Sequence, residues 1–435
     1  MNPREARSWL DGHLNLESGT VTAGAVDDLS LDRMRSLVGV LGDPQTACPV
    51  IHLTGTNGKG STARMLEAIL RGHGLSVGLY TSPHLEALNE RLVWDGRPIP
   101  DEDLAEVFAE LAALESLVDG EPTWFELVTA AAFAWFAQQA VDVAVVEVGL
   151  LGRYDATNVA DGLVAVVTNI GRDHTDGAEG WREAIAGEKA GIIKPGSTLV
   201  LGETDWELQK VFEAEGPERT WRRDRDFAAE NNRVAVGGRA LDVRTPRGRL
   251  EDLFLPVHGA HQGDNLALAV AAAETFFDRP LDAEVVAESL ADLKVPGRFE
   301  IMGREPLLVL DGAHNPEGMA ALTTTLHDDF ADVTSTIVVL GMLAGRDPDA
   351  MLEALELTAY DVVICTTPPS PRALPATEVA DAVARAGLEV EVVPDVAQAL
   401  ERAKGIATSE DRIIVTGSLY VVGAARSSLG SSEGR

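Results

Sequence analysis

The chain is predicted to be an α/β protein. An N-terminal three-layer domain with a phosphate loop (P-loop) and a mostly parallel sheet precedes a smaller C-terminal Rossmann-like α/β domain. Three observations predict this. Short β-branched runs alternate with helix-length segments along most of the chain, a glycine-rich octet joins the first run to a helix, and a second alternating series begins after Val295-Pro296-Gly297. At 435 residues the chain is long enough for two or three domains, each with its own core.

Taken in order, Pro49-Val50-Ile51-His52-Leu53 reads as a buried strand. Residues 62–70 read as a helix, because Met65, Leu66, Ile69 and Leu70 recur at helical spacing before Gly72 and Gly74 stop it. Between them lies Thr54-Gly55-Thr56-Asn57-Gly58-Lys59-Gly60-Ser61. Such a strand, loop and helix direct several backbone N–H groups and the positive end of a helix dipole at one point. The runs 75–81, 141–148, 163–170 and 198–202 read as further strands, with helical patterns at 103–117 and 126–140 among them. Residues 222–257 are arginine-rich and irregular and read as small strands near a sheet edge, and 263–277 as an alanine-rich helix. The second series contains strand-like runs at 307–311, 336–341, 361–366, 388–393 and 412–416. The expected division is therefore 1–295 and 296–426, with a flexible Ser/Gly-rich tail over 427–435.

Charge narrows the partners. The net charge of −33 repels nucleic acid and anionic membranes, so neither is expected. No apolar run reaches the roughly 18 residues of a membrane span, and the N-terminus lacks the apolar core of a secretion signal. Cys48 and Cys365, far apart and without metal-ligand spacing, point to a reducing cytoplasm. Acidic residues number 69 and are scattered, whereas only six lysines occur, at 59, 189, 194, 210, 294 and 404. This balance reads as halophilic adaptation, since in molar salt the screening length falls to about 3 Å. Lysines that survive such a bias are expected to do work that arginine cannot.

The octet carries the chemistry. Lys59 supplies a mobile cation for the outer phosphates of a nucleoside triphosphate, and Ser61 a hydroxyl for Mg²⁺. The common P-loop has Ser or Thr directly after the lysine, whereas here Gly60 intervenes. Ligands of open α/β sheets sit outside the carboxyl ends of the strands. Ser82, Glu147 and His174 follow strand-like runs just as Ser61 follows the loop. A hydroxyl, a carboxylate and an imidazole on one edge would make a second metal site, although taken singly such a Glu is more often a cap or surface residue and such a His more often structural.

The surrounding words carry a resemblance. The loop ending Asn57-Gly58-Lys59-Gly60-Ser61 opens the series. Val146-Glu147-Val148-Gly149-Leu150 with Asp155-Ala156-Thr157-Asn158, Thr168-Asn169-Ile170-Gly171-Arg172-Asp173-His174-Thr175 and Glu188-Lys189-Ala190-Gly191-Ile192 follow. Pro296-Gly297-Arg298-Phe299-Glu300, Asp311-Gly312-Ala313-His314-Asn315-Pro316, Leu340-Gly341-Met342-Leu343 and Gly417-Ser418-Leu419 complete it. In this order, over about residues 30 to 425, they resemble the folylpolyglutamate synthase/dihydrofolate synthase family of the Mur ligase superfamily.

The resemblance implies an ATP-dependent carboxylate–amine ligase. Such an enzyme joins the amine of L-glutamate to dihydropteroate or a folate by way of an acyl phosphate, because a carboxylate by itself has no usable leaving group. Asp155-Ala156 resembles members that accept dihydropteroate. The implied ATP contacts are Thr56, Asn57, Gly58, Lys59, Gly60, Ser61, Asn265, Arg298 and Asp311. The implied metal ligands are Ser61, Ser82, Glu147 and His174, for two Mg²⁺ sites. Lys59, Lys189 and His174 stand at catalytic positions, with Lys189 matching a lysine carried as a carbamate, which only a primary amine can form. Thr123, Trp124, Phe125, Glu126, Tyr154, Asp155 and Ala156 match the pterin side. His314 either helps bind glutamate or caps the helix after Pro316. A monovalent cation and a monomeric, cytoplasmic enzyme are further expectations. The alternatives are a cell-wall Mur ligase acting on a nucleotide-linked muramyl peptide, and an ATP-binding switch without turnover. Two departures stand out: Leu151 where the family has glycine, and Arg346-Asp347 where it tends to have lysine before Asp.

Overall fold

Strand β1 (Val50–Thr54) is buried along its whole length, as its uninterrupted apolar run requires of a central parallel strand. In this computed structural model, which describes residues 1–15, 30–173, 178–331 and 333–430, β1 lies inside an eight-stranded sheet. Its other members are β2 (Val77–Tyr80), β3 (Leu92–Trp94), β4 (Arg97–Pro98), β5 (Val143–Glu147), β6 (Gly162–Val167), β7 (Thr198–Leu201) and β8 (Arg219–Arg222). The order is β4-β3-β2-β5-β1-β6-β7-β8, parallel except where β3 pairs with β2 and β4. Register sets the chemistry: Leu53 pairs with Glu147, Tyr80 with Val146 and Thr54 with Val167. The carboxyl ends of β1, β2, β5 and β6 therefore finish side by side.

Helices cover this sheet for a reason visible in their composition. The helix Trp124–Gln138 buries twelve of its fifteen residues, apolar on every side, so it runs inside the layer beneath the sheet. His261–Phe277 is similarly apolar and buried. Each fully buried Leu, Val or Phe in these helices contributes about 1.5–3 kcal/mol relative to exposure.

Residues 222–257 depart from expectation. Only β8 joins the edge of the large sheet; β9 (Ala228–Ala235), β10 (Gly238–Thr245) and β11 (Gly248–Leu255) form a separate sheet in consecutive order. Two-residue connections, Val236-Gly237 and Pro246-Arg247, return each strand onto its predecessor. Alternation then buries Leu241, Val243, Leu253 and Leu255 together.

The C-terminal sheet contains β12 (Glu300–Arg304), β13 (Leu307–Leu310), β14 (Thr336–Leu340), β15 (Val362–Cys365), β16 (Val390–Val392) and β17 (Arg412–Thr416). Their order is β12-β13-β17-β14-β15-β16, parallel except for β12 against β13. The five expected strands are present, and β12 is added by a tight turn at Glu305-Pro306. The final helix, Leu419–Gly430, takes in residues 427–430 of the segment expected to be a flexible tail. Val421, Val422 and Ala425 bury one face of it, and the Ser428 hydroxyl donates to the Ala425 carbonyl at 2.7 Å, so serine does not end the helix. Residues 431–435 lie outside the described residues.

The chain forms two compact units: Met1–Arg233, Ala240–Pro256 and Gln262–Leu293, and separately Val234–Arg239, Val257–His261 and Lys294–Arg435. The fold is the expected one, a parallel-rich P-loop domain and a smaller doubly wound α/β domain. Among the described residues, no helix is long and apolar enough to cross a membrane.

Candidate active site

The glycine loop leaves β1 and enters the helix Lys59–Gly72 through Gly58, which takes φ +84° and offers no side-chain cap. The first N–H groups of a helix have no intrahelical partner, so this end of a fourteen-residue helix is built to receive an anion. Two glycines are required by crowding as well as by φ. A Cβ on Gly55 (φ +145°) would lie 1.8 Å from Thr168 Oγ1, and one on Gly58 would lie 2.4 Å from Asn265 Oδ1. Asn265, expected at the nucleotide, thus stands against the loop, oriented by its bond to Gln262 at 2.9 Å.

The loop is braced from β6 and the segment after it. Thr168 Oγ1 donates to the Asn57 carbonyl at 2.6 Å, and the Asn57 N–H donates to Asn169 Oδ1 at 3.0 Å. The Thr56 N–H donates to the Asn169 carbonyl at 3.0 Å, and the Gly171 N–H to Thr56 Oγ1 at 3.0 Å. Thr168 and Asn169 belong to the quoted signature but received no role; their work is to hold the cradle's shape.

Two lysines converge on one carbonyl. Lys59 Nζ donates to Gly55 O at 3.0 Å and Thr56 O at 3.2 Å, and Lys189 Nζ donates to the same Gly55 O at 2.8 Å. Lys189 is 5% exposed. Burial, and then the Lys59 charge, hold its amine well below the ordinary lysine range, with Asp155 opposing. Lys59, Lys189, Val148, Gly149 and Leu151 share a small cavity with Gly55, Thr56 and Asp173.

On the flank of the loop, Glu147 at the end of β5 is 4% exposed. Its Oε2 accepts the Ser82 N–H at 3.2 Å and would lie 3.4 Å from a Cβ placed on Gly60. Ser82 and Glu147 therefore meet beside the helix start that also carries Ser61, which is buried. Hydroxyl and carboxylate oxygens are the donors a hard divalent cation prefers, so the residues present fit Mg²⁺. His174 lies outside the described residues, and its neighbour Asp173 lines the cavity. Arg64, one helical turn beyond Ser61, was not anticipated: burial lowers its guanidinium, while Glu147, Glu90 and Glu67 hold it up. Its spacing from Ser61 was the available signal.

Asp155 is buried. Its Oδ1 accepts Thr157 N–H at 3.0 Å and Thr157 Oγ1–H at 2.5 Å, and its Oδ2 accepts Leu150 N–H at 2.8 Å. Burial raises its pKa against these donors. Because the Thr157 proton goes to Asp155, His52 Nε2 donates to Thr157 Oγ1 at 2.9 Å. Burial pulls His52 down to about 3, so it stays neutral. The same turn carries Leu151 at φ +59°, a left-handed conformation that costs a non-glycine residue about 1–2 kcal/mol. The backbone bend of a glycine is thus kept here without the glycine.

The residues expected on the pterin side divide. Thr123 and Glu126 form a reciprocal capping box at the head of the helix Trp124–Gln138, with Arg33 paired to Glu126 at 2.7 Å. Trp124 is core, with the buried guanidinium of Arg91 4.8 Å over its ring, and Arg91 also donates to His84 Nδ1 at 2.9 Å. Phe125 crowds Gly149, where a Cβ would come within 2.3 Å of its ring. Tyr154 is 41% exposed, and Ala156 is core.

In the second unit, Asp311 follows β13 and accepts Phe299 N–H and Ala313 N–H, each at 2.8 Å. Burial raises its carboxyl, and Arg298 is the largest influence opposing it. Arg298 itself donates to the Gly312 carbonyl at 3.2 Å. His314 Nδ1 donates to the same carbonyl at 2.8 Å. The cap of the following helix, Pro316–Asp329, is Asn315, whose side chain accepts Gly318 N–H. His314 is therefore not the cap, because an Asx side chain already holds that N–H.

Comparison with known proteins agrees with this architecture. The Mur ligase middle domain matches residues 53–273, and the Mur ligase, glutamate ligase domain matches 297–419. The dihydrofolate synthase/folylpolyglutamate synthase of Mycobacterium tuberculosis is 39% identical over 442 residues, covering 93% of this chain and 90% of that protein. The solved folylpolyglutamate synthase of Mycobacterium tuberculosis complexed with ADP superposes with a TM-score of 0.92 at 36% identity, covering 98% of each chain. The bifunctional folylpolyglutamate synthase/dihydrofolate synthase from Yersinia pestis, complexed with AMPPNP and a Mn ion, gives 0.86 at 31% identity, covering 99% of this chain and 98% of that one. The glycine loop's geometry, the sheet order and both domain matches agree: the chain belongs to the dihydrofolate synthase/folylpolyglutamate synthase family of Mur ligases.

Proposed function

We propose that this protein is an ATP-dependent amide ligase that joins L-glutamate to dihydropteroate, and to folates already carrying glutamate, through an acyl-phosphate intermediate. The observation that carries the reading is the meeting of the Ser82–Glu147 pair with the anion-receiving helix start at Gly58 to Ser61. It supports transfer of the γ-phosphoryl group beside a divalent cation.

The residues divide the work. The loop N–H groups and Lys59 hold the outer phosphates and offset charge that develops as the phosphoryl group moves. Ser61, Ser82 and Glu147, with His174 as the resemblance implies, would hold Mg²⁺, which when bound would neutralise phosphate charge and orient the transferred group. Lys189, whose amine burial and the Lys59 charge hold well below the ordinary lysine range, is the amine that takes up CO₂ as a carbamate, turning a base into an anion. Asp155, held by Thr157 and through it by His52, fixes the turn that approaches the pterin substrate. Positioning supplies most of the rate, since the acyl phosphate and the glutamate amine must meet before water intervenes.

Arg298, Asp311 and His314 are nucleotide- or glutamate-side residues of the second unit in this reading. The enzyme acts as a cytoplasmic monomer on small molecules, without nucleic acid or membrane, and a monovalent cation assists it. The test is direct. Purified protein with ATP, Mg²⁺, dihydropteroate and L-glutamate forms dihydrofolate and releases ADP; absence of acceptor-dependent ADP with both dihydropteroate and reduced folates refutes the assignment.

A further inference from the structure

We infer that Arg91 is a positioning residue for the acceptor substrate: by tying the His84 ring to the Trp124 ring, it fixes the spacing between the metal edge and the helix head expected on the pterin side. The inference rests on the ligase reading above and deepens it.

Arg91 is 1% exposed, and a guanidinium is rarely buried so deeply unless it is paired. It ends the connection between β2 and β3, residues 81–91, and holds that connection closed from within. Its carbonyl accepts the Thr81 N–H at 3.0 Å. Its neighbour Glu90 accepts the N–H groups of Leu85, Glu86 and Ala87 at 2.8, 2.9 and 2.8 Å. Its Nε–H donates to His84 Nδ1 at 2.9 Å, so the imidazole two residues beyond Ser82 is held by a directed bond. The same guanidinium lies 4.8 Å over the Trp124 ring. Arginine suits both tasks, because its planar fork donates along the edge while its face stacks on an aromatic ring. The compact charge of a lysine can sit over the ring but has no Nε–H of that fork to aim at His84.

Both partners of Arg91 lead to the end of β5. On one side, the Ser82 N–H donates to Glu147 Oε2 at 3.2 Å. On the other, Phe125, which follows Trp124, packs so closely on Gly149 that a Cβ there would come within 2.3 Å of its ring. Glu147 and Gly149 are two residues apart, and Gly149 lines the cavity that holds Lys59 and Lys189. The 81–91 loop, the head of the helix Trp124–Gln138 and the end of β5 thus form three sides of a triangle, and Arg91 closes the side between loop and helix. Without it the loop loses its direct tie to the helix head. An acceptor in this reading spans that side, its heterocycle towards the helix head and its carboxylate towards the metal edge. A misplacement of about 1 Å between reacting groups costs on the order of 10²-fold in rate, so the length of that side governs use of the acceptor and not of the nucleotide.

The test uses the full chain with ATP, Mg²⁺ and saturating L-glutamate while dihydropteroate is varied, beside calorimetry with ADP in the absence of acceptor. Arg91→Lys, which keeps the charge over Trp124 but loses the directed bond, lowers kcat/KM for dihydropteroate roughly tenfold or more, while ADP affinity stays within about twofold of wild type. His84→Ala, at a half-buried ring and with Arg91 left in place, has the same effect. His84→Asn, whose Oδ1 accepts where Nδ1 did, recovers part of the loss. The double variant Arg91→Lys/His84→Ala is no worse than Arg91→Lys alone, since both changes act on one contact. Wild-type kcat/KM in Arg91→Lys or in His84→Ala, losses that multiply in the double variant, or an equal fall in ADP affinity overturns the inference. Absence of dihydropteroate-dependent ADP release by the wild type overturns the ligase reading itself, and the inference with it.

Discussion

Gly55→Ala puts the phosphate cradle to its most direct test. The new methyl carbon would sit 1.8 Å from Thr168 Oγ1 and 3.0 Å from the Thr168 backbone nitrogen. Thr168 is 1% exposed and its hydroxyl is committed to the Asn57 carbonyl at 2.6 Å, so it cannot swing away freely. Relief requires breaking that bond, at about 1 kcal/mol net, and shifting packed atoms, at about 1–3 kcal/mol. The sum, about 2–4 kcal/mol, falls on the loop conformation that presents the N–H groups. At 1.4 kcal/mol per tenfold, ATP binding should weaken by about 10²-fold. Calorimetry with ADP and ATP, beside a thermal melt, reads both effects. Thr168→Ala alone should cost about 1 kcal/mol, yet in the Gly55→Ala background it removes the worst contact and should recover part of the loss. Gly55→Ala binding nucleotide within about threefold of wild type at an unchanged melting temperature would refute this account of the loop.

Four further outcomes follow from the same geometry. Lys59→Ala should lower turnover by roughly 10²-fold while the melt stays cooperative, read by steady-state ADP release. Glu147→Gln keeps the shape but removes the carboxylate's negative charge, so the Mg²⁺ concentration needed for half-maximal activity should rise about tenfold, with no such rise marking Glu147 as merely structural. Lys189→Met should abolish ligation, yet melt higher than wild type near neutral pH in CO₂-free buffer. The sign follows from the lowered amine pKa. Between the folded value and the ordinary 10.5 the unfolded chain binds a proton that the native chain does not, so wild-type stability climbs with pH and the gap to Lys189→Met closes towards 10.5. Finally, raising KCl from low to molar concentration should increase the melting temperature, because a net charge of −33 repels itself most where screening is weakest; a flat or falling curve would contradict halophilic adaptation.

Much of the site was legible because its signals are local. The octet from Thr54 to Ser61 names its own geometry, since glycines mark where the backbone must bend or be approached closely, and β1 and the following helix announce themselves by period. Ser82 and Glu147 could be placed on one edge because parallel strands of similar length must end together. The separate sheet β9–β11 was misread because hairpin strands and edge strands share composition and differ only in what they pair with. Arg64 and Arg91 escaped notice because a buried guanidinium looks like any surface arginine until its neighbours are known.

By itself, then, the sequence determined the alternation of strand and helix, the anion-receiving loop and the family, all of which follow from near neighbours along the chain. Only the tertiary structure decided that Lys59 and Lys189, 130 positions apart, meet on one carbonyl, that His52 steadies Asp155 through Thr157, and that Leu151 keeps a glycine's bend. The physical reason is that pKa, strain and water access belong to a residue's surroundings in space, and those are fixed by strand register and packing rather than by sequence distance.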